Sequence, residues 1–142
     1  MDPELRREII LDNYNNPQHK GKGTSNYIKV NTNNSSCIDN IDLWVLFEDN
    51  IIKDIKFDGE ACAISTASTS IMIKELIGKS LDEALRFIDS FEKMIDEEKY
   101  NPELLNEANV FDEIYKQANR KTCATLPYKG IIKAIEEYKK RR

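Results

Sequence analysis

The hydrophobic pattern of this 142-residue chain changes period near Cys62, and the change limits the folds open to it. Ile41, Leu43, Val45 and Phe47 alternate with Asp42, Trp44 and Leu46. After the turn-forming Glu48-Asp49-Asn50, a second run places Ile51, Ile55 and Phe57 on one face. Alternation at period two puts successive side chains on opposite faces of a strand, so the two runs predict a β-hairpin. From Cys62 onward the spacing is helical, with Ile64, Ala67, Ser68, Ile71 and Met72 on one side and Gly78 as the stop.

Helices flank this hairpin on both sides. Asp2 and Pro3 make a good N-cap and first helical residue, and Leu5, Ile9, Ile10 and Tyr14 share one face of a helix predicted over about residues 3 to 15. A loop carrying Pro17, Gly21 and Gly23 follows, then a short strand around Tyr27 to Val30 that completes a three-stranded antiparallel sheet. Ser80 and Glu83 form a capping box ahead of Leu81, Ala84, Leu85 and Ile88, and Asn101-Pro102 opens a short further helix. Another is predicted over Phe111 to Gln117, and Thr122 to Leu126 precedes a last one striped by Ile131, Ile132, Ile135 and Tyr138. Helix, strands, then helices is an α+β order, a small three-stranded antiparallel sheet packed against several helices, and not a βαβ alternation. A chain of this length is expected to form one domain over residues 1–142 that removes about 70% of its unfolded surface from water.

Charge and apolar run lengths exclude several function classes. A net charge of −4 argues against nucleic acid, whose phosphates call for clustered Lys and Arg. The one basic cluster, Lys139-Lys140-Arg141-Arg142, reads as a solvated helix end that suits the local dipole. The N-terminus is charged from Asp2 onward and the longest apolar run is Leu43 to Phe47, so neither a secretory signal nor a membrane span is expected and the cytoplasm is the expected compartment. Three cysteines cannot all pair internally, and a reducing compartment opposes disulfides, which leaves the thiols free or bound to metal.

Cys37-Ile38-Asp39 lies before the hairpin, Cys62 before one helix and Cys123 before another, so all three thiols are predicted at element ends. A thiol at a helix N-terminus feels the positive end of the dipole, which favours the thiolate. Position alone leaves a second reading open, in which the cysteines are small inert core residues and Asp39 is an ordinary turn residue. On the first reading, three thiolates and one carboxylate complete a tetrahedral shell for Zn²⁺, and the harder carboxylate suits a site where ligands must leave. No Gly-rich phosphate loop or G-x-S-x-G is present, so no ordinary hydrolase site is expected. His19 reads as a loop residue, and Asp96-Glu97-Glu98 as a solvated face.

Four blocks carry a family resemblance. Tyr14-Asn15-Asn16-Pro17 followed by Gly21, Cys37-x-Asp39, Gly59-Glu60-x-Cys62-x-Ile64-Ser65, and Arg120-x-x-Cys123-Ala124-Thr125-Leu126-Pro127 resemble, in type, order and spacing, the IscU/NifU-like iron–sulfur scaffold family. Within it the chain looks like the SufU type, since Asn119-Arg120-Lys121-Thr122 has no histidine where IscU-type members carry one, and Phe91 to Tyr115 resembles the SufU-type insertion. The resemblance implies a SufE/NifU-like fold, Zn²⁺ held by Cys37, Asp39, Cys62 and Cys123, and Cys37 as acceptor of persulfide sulfur from a pyridoxal-phosphate cysteine desulfurase of the SufS kind. It also links Arg120 to desulfurase contact, against the plain alternative of a surface arginine. Recipient iron–sulfur apoproteins or other assembly factors are the further implied partners. Two alternatives accompany this reading: a scaffold carrying a transient [2Fe–2S] or [4Fe–4S] cluster, and a non-catalytic domain with structural zinc. The chain departs from the family at Ile38 and Ala61, where glycine is usual. A β-branched residue avoids positive φ, so the first ligand loop is expected to differ in backbone shape.

Overall fold

The computed structural model describes residues 1–142 as α1 (Pro3–Asn15), β1 (Ile28–Asn33), β2 (Asn40–Glu48), β3 (Ile51–Glu60), α2 (Ala63–Leu76), α3 (Leu81–Ile95), α4 (Pro102–Leu105) and α5 (Ala118–Arg141). The α+β order and the antiparallel sheet β1-β2-β3 are those the hydrophobic periods predict. Ile28 faces Val45 across the first ladder, and Leu43 and Val45 face Phe57 and Ile55 across the second, which gathers one buried apolar face under the helices. The helical layer comes very close to that face: a Cβ on Gly130 of α5 would meet Leu43 Cδ1 at 2.5 Å. A larger residue there would need the Leu43 side chain to shift.

The far end of the hairpin departs from simple alternation. Asp54 pairs with Leu46 and Ile52 with Phe47, so Lys53 is an extra residue on β3, a bulge that reverses which side chains face inward. Ile52 is therefore fully buried, and Ile51, the residue expected in the core, is only partly covered.

The terminal helices correct three further expectations. In α1, Ile9 and Ile10 pack against the core and Asn13 is buried, but Leu5 and Tyr14 are 47% and 44% exposed and do not share the apolar face. The segment expected as a helix over Phe111 to Gln117 consists instead of 3-10 turns, Asn106–Phe111 and Ile114–Lys116. The last helix begins at Ala118, well ahead of Leu126, and runs through Pro127. A proline usually marks a helix boundary because it lacks an N–H and crowds the preceding turn. Here the helix continues, and the neighbouring α2 places the Ser65 and Ser68 hydroxyls 3.1 Å and 2.5 Å from the Cys123 and Ala124 carbonyls in the turn before the proline.

That role explains the composition of α2, buried on nearly every side despite its run of Ser and Thr. Ser68 Oγ donates to the Ala124 carbonyl at 2.5 Å, Thr69 Oγ1 to the Ser65 carbonyl at 2.7 Å, and Ser70 Oγ to Asn13 Oδ1 at 2.8 Å. A buried hydroxyl left unpaired costs about 1–3 kcal/mol, so each bond removes a penalty as well as adding an attachment. By contrast α3 is amphipathic, with its predicted capping box formed, and its Phe91 stacks on Tyr128 of α5 at 4.1 Å between ring centres. No helix is long and apolar enough to cross a membrane.

Part of the sheet's outer face, around Trp44, is covered by the loop over residues 16–27. Gly23 and Tyr27 lie against Trp44, while Lys20 bridges to Phe57 in parallel, with the Gly21 N–H donating to the Phe57 carbonyl at 2.8 Å. Asp54 anchors this loop: it accepts from the Tyr27 hydroxyl at 2.5 Å and lies 3.1 Å from His19 Nδ1. The chain's one histidine is thus engaged on the sheet.

Candidate metal and sulfur site

Strand and helix ends bring the sequence-predicted ligands together. One donor atom each from Cys37, Asp39, Cys62 and Cys123 lies within 4.8 Å of the others. Cys37 comes from the β1–β2 connection, Asp39 from the residue before β2, Cys62 from the N-cap of α2 and Cys123 from the second turn of α5. Cys123 is therefore not at an element end as expected from sequence, because α5 starts five residues ahead of it.

Each ligand loop closes for a local reason. The Asn34 side chain accepts from the Ser36 amide and hydroxyl, the Cys37 amide donates to the Asn34 carbonyl at 3.1 Å, and the Asn34 amide donates to the Asp39 carbonyl at 3.0 Å. Ile38 takes up this turn without positive φ, as a β-branched residue is expected to, and its side chain projects outward, 65% exposed. Gly59, at φ +128°, lets β3 pass the start of β2, since a Cβ there would overlap the Asn40 carbonyl oxygen. Beside the site Tyr14, Pro17, Lys20, Ile38, Gly59 and Ala61 line an open groove of about 650 Å³.

Asp39 is 1% exposed and doubly held: Oδ1 accepts from the Cys62 amide at 2.7 Å and Oδ2 from the Ser65 hydroxyl at 2.6 Å. Burial opposes its ionisation, but those two bonds together with the Cys123 and Cys62 thiols outweigh it and hold the carboxyl below its ordinary range. The Cys123 thiol is pushed up to about 12, first by burial and then by Asp39 and Cys62 beside it. Without a cation, then, one charge sits on the carboxylate and the Cys123 proton stays in place. A tetrahedral Zn²⁺ with bonds of about 2.3 Å to sulfur spaces its ligands about 3.8 Å apart, so this cluster needs to contract by only about 1 Å to fit such an ion. Three soft sulfurs and one oxygen suit zinc or iron and not magnesium or calcium.

The four donors differ in support. Cys62 Sγ accepts from the Ser65 amide at 3.4 Å, as an N-cap side chain does. The Cys123 carbonyl, whose helical partner would be the N–H that Pro127 lacks, lies 3.1 Å from Ser65 Oγ. Cys37 alone is exposed. Arg120, half-buried in the first turn of α5 and one turn ahead of Cys123, makes no side-chain hydrogen bond or ion pair. Ser65, part of the Gly59-Glu60-x-Cys62-x-Ile64-Ser65 block in the sequence, joins the site through its hydroxyl. Its signal was there, as the residue three after an N-cap, the position that reaches back to the cap.

Fold and donor set together define a small α+β protein with a thiol-rich, metal-competent pocket at the meeting of sheet and helices. Residues 5–142 match the NifU-like N terminal domain, and the chain belongs to that family, which serves iron–sulfur cluster assembly. It is 35% identical over 132 residues to the zinc-dependent sulfurtransferase SufU of Bacillus subtilis (strain 168), spanning 92% of this chain and 89% of that one. It is 37% identical over 134 residues to the iron–sulfur cluster assembly scaffold protein IscU of Streptococcus pyogenes serotype M1, spanning 93% and 83%. The crystal structure of a candidate SUF-system scaffold from Fervidobacterium islandicum AW-1 superposes with a TM-score of 0.87 at 31% identity, over 94% of this chain and 98% of that one.

Proposed function

We propose that this protein is a SufU-type, zinc-dependent acceptor of persulfide sulfur, with Cys37 as the acceptor thiol and Cys37, Asp39, Cys62 and Cys123 as the zinc ligands. The observation that carries the reading is the asymmetry of the four donors: Asp39 and Cys123 are 1% and 2% exposed and Cys62 is capped into α2, whereas Cys37 stands exposed on a six-residue turn beside an open groove. An ion held by the other three could release Cys37 without dismantling the site.

Bound zinc would supply the positive charge that keeps thiols ionised at neutral pH. Cys37 then acts as a nucleophile toward a donor cysteine persulfide. Its thiolate attacks the outer sulfur, one S–S bond forms on Cys37, the donor's S–S bond breaks, and the donor cysteine leaves as a thiolate, so electrons and atoms balance with no external oxidant. A cysteine desulfurase is the proposed donor, entering along the groove lined by Tyr14 and Ile38. The unpaired Arg120 guanidinium supplies it with a positive contact one helical turn from Cys123. Recipient apoproteins would take the sulfur onward.

A scaffold role is the second reading, favoured by the scaffold name of the S. pyogenes relative. Against it, the one histidine is committed to Asp54 and is not among the four converging donors. Metal analysis of freshly purified protein separates the two. About one zinc per chain without iron is expected. Iron with acid-labile sulfide would replace the acceptor reading by the scaffold, and a protein that takes up neither metal would remove the site. Chelation is expected to leave the far-ultraviolet circular dichroism essentially intact, because the core closes on apolar contacts alone. A random-coil spectrum after chelation would make the zinc structural.

A further inference from the structure

Ser65 occupies the third position of α2, inside a helix so enclosed that the residue has no exposed surface. Its polar atoms must therefore find partners within the protein, and those partners lie on three of the four candidate ligands. The backbone N–H donates to Cys62 Sγ at 3.4 Å, and the hydroxyl lies 2.6 Å from Asp39 Oδ2 and 3.1 Å from the Cys123 carbonyl. No bond runs from Ser65 to Cys37.

The hydroxyl has one proton, and the shorter distance to a charged acceptor gives it to Asp39. Lone-pair accounting then fixes the carboxylate. Oδ1 is engaged by the Cys62 amide and Oδ2 by Ser65, while Oδ2 also lies 3.9 Å from Cys62 Sγ, on the side of the thiols. Oδ2 is thus the oxygen that faces a cation among the thiols, and the bonds that hold Oδ1 and Oδ2 in different directions oppose the rotation that would bring both oxygens to the ion. Ser68, one turn further along α2, bonds the Ala124 carbonyl at 2.5 Å and touches no ligand. Ser68 thus ties α2 to α5 alone, and Ser65 is the serine that orients the donor set.

We propose that Ser65 is a positioning residue that holds Asp39, Cys62 and Cys123 as a preformed three-ligand half-shell, restricts Asp39 to monodentate binding, and so leaves Cys37 as the ligand that exchanges. The inference rests on the reading of these four residues as a metal shell. Outer-shell partners of this kind typically govern metal affinity by about 10- to 100-fold.

Ser65→Ala and Ser68→Ala, compared with the wild type, provide the test. The readouts are zinc affinity by competition with a chromophoric chelator, the visible spectrum of the Co²⁺-loaded protein, and the unfolding midpoint of the metal-free form. Each variant loses one buried hydroxyl bond of α2, Ser65→Ala the bond to Asp39 and Ser68→Ala the bond to the Ala124 carbonyl, and both are expected to lower the metal-free midpoint by a similar amount. Only Ser65→Ala is expected to weaken zinc by about 10- to 100-fold and to dim the intense tetrahedral Co²⁺ bands as Asp39 turns bidentate or detaches. Ser65→Thr, which keeps the hydroxyl, is expected to restore them. Wild-type affinity and spectrum in Ser65→Ala overturn the proposal, as does an equal loss in Ser68→Ala or a lost spectrum in Ser65→Thr at an unchanged midpoint. A wild type that binds neither Zn²⁺ nor Co²⁺ overturns instead the metal shell on which it rests.

Discussion

Asp39→Ala is expected to strip the protein of most of its metal-dependent stability while leaving the metal-free fold close to its original strength. At free zinc a thousandfold above Kd, binding adds about 4 kcal/mol to the wild type, and a hundredfold loss of affinity reduces that increment to about 1.4 kcal/mol. The metal-free stability should fall by only about 1 kcal/mol: the bonds that favour the Asp39 charge are lost, but burial had offset part of them and the freed Ser65 hydroxyl can turn to the Cys123 carbonyl. Urea unfolding of both proteins with and without zinc measures the two quantities. The same titration carries a pH sign. With the metal-free Cys123 thiol pushed up to about 12, its proton must leave when zinc binds, so the wild-type increment grows as pH rises and fades as pH falls. Equal zinc increments in wild type and variant would remove Asp39 from the shell.

Cys37→Ser should act on chemistry more than on folding. The side chain is exposed and holds no packing partner in the core, so circular dichroism and the metal-free midpoint are expected to be unchanged. Transfer of labelled persulfide sulfur from a cysteine desulfurase is expected to fall roughly a thousandfold or more, the scale on which removal of an attacking nucleophile acts. Cys62→Ser is the informative partner experiment, since Cys62 is capped into α2 and its loss should show first in metal retention. If sulfur still arrived at the wild-type rate in Cys37→Ser and ceased in Cys62→Ser, the acceptor assignment would pass to Cys62.

Much of this could be read from the residues. The change of period at Cys62 predicts the hairpin and α2, and Ser80 with Glu83 marks the start of α3 to the residue. The four donors were nameable as a set because their motifs are local, whereas their convergence within 4.8 Å depends on packing across the chain. What escaped lies where tertiary contacts override a local rule. Pro127 argues for a helix that starts after it, yet α5 runs through it, with the Cys123 carbonyl that the proline leaves unserved lying 3.1 Å from Ser65 Oγ on the neighbouring helix. Ile51 outranks Ile52 by parity until a bulge at Lys53 reverses the faces. Tyr14 carries a helical spacing shared with Ile10, yet the turn of α1 against α2 leaves it to the groove.

Cys123 stands in the last helix, whereas the other three donors lie in the first half of the chain, about 60 residues or more away. Gathering them means closing a long loop, whose entropy cost is met only after the core between has formed. In contrast to a zinc finger, where closely spaced pairs let the ion template a small fold, metal here could not seed the folding nucleus. It would arrive at a finished structure and stabilise the native state beyond the transition state, which slows unfolding and leaves the rate of folding where it was. An ion of this kind would lengthen the lifetime of the assembled protein, and a molecule without it would still fold on time.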